Sequence, residues 1–146
     1  MTVYDELVIV DEYEDTHGNQ TAILRACNVM VAYLCASRLP LSYPVVHAAR
    51  VANAYIVGSA GVNELQTASN QVTQFLQELQ SDSESPQDTL SVVRACGALM
   101  KLLQKPAWGG GASEALSNFL EWMDHFEVNH PLFEQLLVKA FGSSNH

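Results

Sequence analysis

Residues 89–105 read TLSVVRACGALMKLLQK, and the reading of this stretch decides the fold. Leu90, Val92, Val93, Ala95, Cys96, Gly97, Leu99, Met100, Leu102 and Leu103 cover nearly the whole circumference of the helix their spacing implies. A helix apolar all round must be surrounded by protein or by lipid. At about 17 residues, with Arg94 and Lys101 in it, protein is the better surrounding. The start is equally clear: Ser85-Pro86-Gln87-Asp88 puts Ser at the N-cap, Pro at the first helical position and an acid at the third. A buried central helix over about residues 86–104 is therefore expected, stopped by Pro106.

Working outward, the periodicity is helical from Gln20 onward. TAILRACNVMVAYLCAS (21–37) is apolar on most faces and ends before Pro40. YPVVHAARVANAYIVG (43–58) carries an unusually small face of Ala and Val, with Pro44 suited to a first turn and Gly58 and Gly61 ending it. In NELQTASNQVTQFLQELQ (63–80), Leu65, Ala68, Val72, Phe75, Leu76 and Leu79 make one apolar stripe opposite Gln and Asn. After the Gly-rich turn at Gly109–Gly111 come two more amphipathic segments. Leu116, Phe119, Leu120 and Met123 lie on one face of the first, and a helix from near Pro131 to Gly142 forms the second. No segment after residue 18 alternates with period two. The fold class expected is all-α, amphipathic helices wrapping one apolar helix.

At 146 residues the chain makes one domain, burying roughly 70% of its extended surface. The organisation expected is an acidic N-terminal arm over 1–18, a helical domain over 19–142 and a short tail over 143–146. The arm holds Asp5, Glu6, Asp11, Glu12, Glu14 and Asp15 around the run Leu7-Val8-Ile9-Val10. It reads as a strand-like arm or a first short helix, docked on the body or on a neighbour, and its acids make it a solvated segment by default or else a partner-binding arm. Charged residues are 16% of the chain against a usual figure of about 25%. Residues 21–80 carry only Arg25, Arg38, Arg50, Glu64 and Glu78. A surface so poor in charge suits a binding groove, a subunit interface, or solvation by Gln, Asn, Ser and Thr.

Several function classes are excluded by charge and motif. With a net charge of −9 and seven scattered Lys and Arg, no nucleic-acid partner is expected. The longest apolar run, VMVAYLCA, is too short for a membrane span, and no secretory leader opens the chain. Cys27, Cys35 and Cys96 read as reduced, packed thiols of a cytosolic protein. Asp124-His125 and His130 straddle a helix break without metal-ligand spacing, and Gly109–Gly111 lacks the Lys-Ser/Thr of a phosphate loop. No metal, cofactor or catalytic residue is expected, and the chain reads as a binding protein and not an enzyme.

Three stretches, in order, resemble the Bcl-2 family of apoptosis regulators. LSNFLEWMDHF…PLFEQLLVKAFG (116–142) is similar to the second homology motif, with Leu120-Glu121-Trp122-Met123 and Phe141-Gly142 in its places and no Gly-Gly-Trp between. VVRACGALMKLL (92–103) puts Gly97 where the first motif has its Gly, while Ala95, Cys96 and Ala98 replace the Asn, Trp and Arg. PVVH…ARVANAY (44–55) is similar to the third motif, keeping Arg50 and Ala52 and replacing Leu, Gly and Asp by Ala49, Asn53 and Ala54. Such degenerate motifs are common in viral members of the family. The resemblance implies a Bcl-2-like bundle and a soluble pro-survival protein of the cytoplasm (the host cytosol for a viral chain), without a membrane anchor. It also implies a groove receiving the amphipathic BH3 helix of pro-apoptotic proteins. Its walls would be Val51, Tyr55, Val72, Phe75, Leu76, Leu79, Arg94, Gly97 and Ala98, Arg94 standing in for the missing arginine. A homodimer that closes the groove is compatible with this reading. The alternative is a helical structural or assembly subunit with a low-charge oligomer interface.

Overall fold

A computed structural model describes residues 7–36, 43–82, 84, 86–106, 110–123 and 130–142. Among them are seven α-helices and no strand: α1 (Leu7–His17), α2 (Asn19–Ala36), α3 (Tyr43–Ile56), α4 (Val62–Ser81), α5 (Gln87–Gln104), α6 (Gly111–Met123) and α7 (His130–Phe141). No described helix is long and apolar enough to cross a membrane. The all-α expectation holds. The tail over 143–146 and the segment around His125 lie outside the described residues.

The breaks follow local chemistry. Gly58, at φ +85°, closes α3 with Ser59 N–H donating to the Ala54 carbonyl at 2.7 Å and Gly58 N–H to that of Tyr55 at 3.1 Å. This double bond to the last turn is what a left-handed glycine after a helix permits. Gly61 starts the next helix instead of ending the last one: it is the N-cap of α4, and Glu64 reaches back to its N–H at 3.3 Å. α5 begins one residue later than expected, because Pro86 has extended backbone (ψ 137°) and is itself the N-cap. Ser85 lies outside the described residues.

The sequence points to one enclosed helix, whereas the centre is divided between two. α2 packs against α1, α3, α5, α6 and α7, and α5 packs against α2, α3, α4 and α6. Val92, Val93, Ala95, Cys96, Leu99, Met100 and Leu103 of α5 are buried. Lys101 and Gln104 are exposed, and Ala98 and Leu102 half-buried, so α5 keeps an open strip. On the other side of α2, Tyr33 meets Phe119 and Phe133 edge-on, centroids 6.1 and 5.5 Å apart, and pins α6 and α7 to it.

For the acidic arm, the structure takes the alternative of a short helix docked on the body. Its described part, α1, is a helix of the body, with Leu7, Val10 and Tyr13 buried against α2, α6 and α7. Tyr13 packs edge-on to Phe141 at 5.2 Å, and the Arg25 guanidinium lies 4.8 Å over its ring. Arg25 also donates to the Ala140 carbonyl at 2.7 Å, satisfying the end of α7.

Candidate functional site

The expected groove falls on α3, α4 and α5, and these three helices pack directly on one another. α3 and α4 run antiparallel: Tyr43 and Pro44 share a shallow cleft with Gln71, Phe75 and Glu78, while His47 and Val51 share one with Asn63, Glu64 and Thr67. Tyr55 and Leu79 therefore lie toward opposite ends of the pair. Val51, Tyr55, Phe75, Leu76 and Leu79 are half-buried and packed on the core, spread along the two helices.

Val72 and Gly97 do meet, but not across an open groove. Val72 is 0% exposed, and its Cγ1 lies 3.7 Å from where a Cβ on Gly97 would stand. Gly97 itself is half-buried, and this contact is an ordinary van der Waals one. Ala98 lies about 100° further around α5, in a cleft shared with α6. Arg94 stands between these directions, half-buried, and makes no ion pair or side-chain hydrogen bond to a described residue. Of the nine expected wall residues, five are half-buried on α3 and α4, Val72 is buried beside Gly97, and Arg94 and Ala98 point toward other sides of α5.

That different face is the feature sequence reading missed. Ala98, Leu102, Ala115, Asn118 and Trp122 line a cleft of about 420 Å³ between α5 and α6, with Lys101 and Lys105 on its rim. Ala98 and Ala115 are short, and their place on facing helices leaves the room; Leu102 and the half-buried Trp122 supply apolar wall. Part of the signal was in the sequence: Arg94 and Lys101 recur at helical spacing on α5, and Lys105 follows at its C-cap.

The other charged cluster has an internal job. Glu14 accepts from Ala112 N–H at 3.0 Å with one oxygen and from Asn19 Nδ2 at 2.6 Å with the other. Asp11 accepts from Ser113 Oγ at 2.6 Å. Two carboxylates of α1 thus serve the first turn of α6, where orphan amides and the helix dipole favour negative charge.

The thiols do no visible chemistry. Burial pushes Cys27 and Cys96 up to about 12. Burial also raises Cys35, which Arg50 partly offsets. Among the described residues no group of His, Cys, Asp and Glu is placed to hold a metal. His47 stacks on Tyr43, centroids 5.7 Å apart. The described surface carries half-buried apolar residues on α3 and α4, and an apolar cleft between α5 and α6 with Lys101 and Lys105 at its rim. No family model, no curated protein and no solved structure matches the chain.

Proposed function

We propose that the chain is a Bcl-2-like helix receptor, an inhibitor of apoptosis that sequesters the amphipathic BH3 helices of pro-apoptotic proteins. The observation that carries this reading is the half-buried apolar set Val51, Tyr55, Phe75, Leu76 and Leu79, on helices that pack with α5. A helix-in-groove ligand uses four apolar anchors along one stripe, and apolar residues spread along two packed helices offer contacts for them. The ligand rests on these residues of α3 and α4. That Arg94 makes no ion pair to a described residue supports a role for it in meeting a ligand carboxylate. The motif order supports the same reading.

Titration with a panel of pro-apoptotic helical peptides tests it. Binding at micromolar concentration or tighter, weakened by Phe75→Ala and Leu79→Ala, is the expected result. No binding by any peptide to monomeric protein would sink the proposal. An assembly subunit is the second reading, favoured by Val57 and Val62, 66% and 61% exposed at either end of one turn. That reading requires a multimer in sedimentation that Val57→Ser with Val62→Ser dissolves.

A further inference from the structure

The cleft between α5 and α6 lies apart from the apolar residues of α3 and α4, and its chemistry selects a different ligand. The chain has seven Lys and Arg and a net charge of −9, yet two of the seven, Lys101 of α5 and Lys105 at its C-cap, line this one cleft. The seven-residue spacing puts Arg94 within about 20° of Lys101 around α5, about 10 Å before it along the helix. None of the three makes an ion pair or side-chain hydrogen bond to a described residue. Beside them runs the uncharged cleft, walled by Leu102 and Trp122. On α6, Glu114 and Glu121 are exposed but sit about a quarter-turn away from the cleft-lining positions.

We propose that this cleft docks an acidic amphipathic helix of a partner protein, its apolar stripe on Leu102 and Trp122 and its carboxylates against Lys101 and Lys105. The alternatives fit less well. A small anion has no use for the apolar wall beside the cations. An anionic membrane surface is recognised by clusters of four to eight cations, and a body of net charge −9 is repelled from it. An amphipathic helix matches the half-apolar, half-cationic lining, with its length along the run from Ala98 to Lys105. The acids about a quarter-turn around α6 orient the ligand, because its carboxylates then lie toward Lys101 and Lys105. Half-buried Trp122 is the anchor, the residue type most often found at the energetic centre of such interfaces.

Trp122 also reports on the event. With Trp108→Phe in place it is the sole tryptophan of the full-length chain. The probe is a 16-residue helical peptide with Leu at i, i+3, i+4 and i+7 and Glu flanking that stripe. A second peptide has Lys for every Glu. The expected result is a blue shift of Trp122 emission that saturates with the Glu peptide. Lys101→Glu with Lys105→Glu, folded by far-UV circular dichroism, should weaken that binding about tenfold or more and bind the Lys peptide instead. Equal binding of both peptides to the wild-type cleft overturns the proposal, as does undiminished binding of the Glu peptide by the charge-reversed protein. A response only to phosphatidylserine vesicles overturns it in favour of a membrane surface. Neither lysine lies on α3 or α4, so this outcome is independent of the BH3 titration.

Discussion

Two charged regions of this molecule look alike in sequence and differ in use. The acids of α1 face the first turn of α6, where Glu14 and Asp11 accept from Ala112 and Ser113. The cations of α5 face no such partner among the described residues and flank an apolar cleft instead. Charge on a helix becomes architecture where an orphan backbone donor or acceptor lies opposite it. Where the neighbour is an uncharged depression, the charge remains available for recognition. Arg25 obeys the same rule as the acids of α1, because the last carbonyls of α7 lie within its reach.

The comparison can be broken in several ways, and the largest effect is expected in the core both regions share. Cys27 on α2 and Cys96 on α5 are pushed up to about 12, against 9.0 for a solvated thiol. The folded chain holds protons there that the unfolded chain releases, so this stability is fully present below pH 9. It is lost progressively as pH rises toward 12, once the unfolded thiols ionise and the folded ones do not. Urea denaturation across that range should show a steeper alkaline loss for wild type than for Cys27→Ala with Cys96→Ala; equal slopes would mean neither thiol is enclosed.

Glu14→Ala is next. Removing it strips a cap from α6 and a partner from Asn19, an expected cost of about 1–2 kcal/mol in the same assay. Gly97→Ala has the opposite sign. The nearest atom to the new methyl is Val72 Cγ1 at 3.7 Å, an ordinary contact, so the variant should gain about 0.5–1 kcal/mol from helix propensity. A loss would mean that α4 sits closer to α5 than described. Smallest of all, Lys101→Ala and Lys105→Ala should each change stability by less than about 0.5 kcal/mol. An effect as large as that of Glu14→Ala would make them architectural too, and the distinction between the two regions would fail.

The helices were legible in the sequence because their signals are local. The stripe Leu65–Ala68–Val72 and the glycine at 58 fix their segments within a turn or two, without reference to the rest of the chain. The role of α1 was not legible: Glu14 and Ala112 are 98 residues apart, and nothing in DEYED distinguishes a capping carboxylate from a solvated one. Gly97 was singled out as a place where a ligand helix comes close; its neighbour in the fold is Val72 of α4 at an ordinary distance, because spacing does not say which helix arrives. Ala98, adjacent to it, points about 100° away around the helix and so belongs to another face. The helical period of Arg94 and Lys101 was visible in the sequence. The meaning of Lys101 and Lys105 depended on α6 placing Ala115 and Trp122 beside them, which only the packing reveals.

The most direct test of the account is an amide chemical-shift map of the full-length protein as the Glu-flanked peptide is added. The result predicted is a set of shifts along α5 and α6 at Ala98, Lys101, Leu102, Asn118 and Trp122, with α1 and the first turn of α6 unmoved. Shifts centred on Asp11, Glu14 and Ala112, or none on α5, would contradict it.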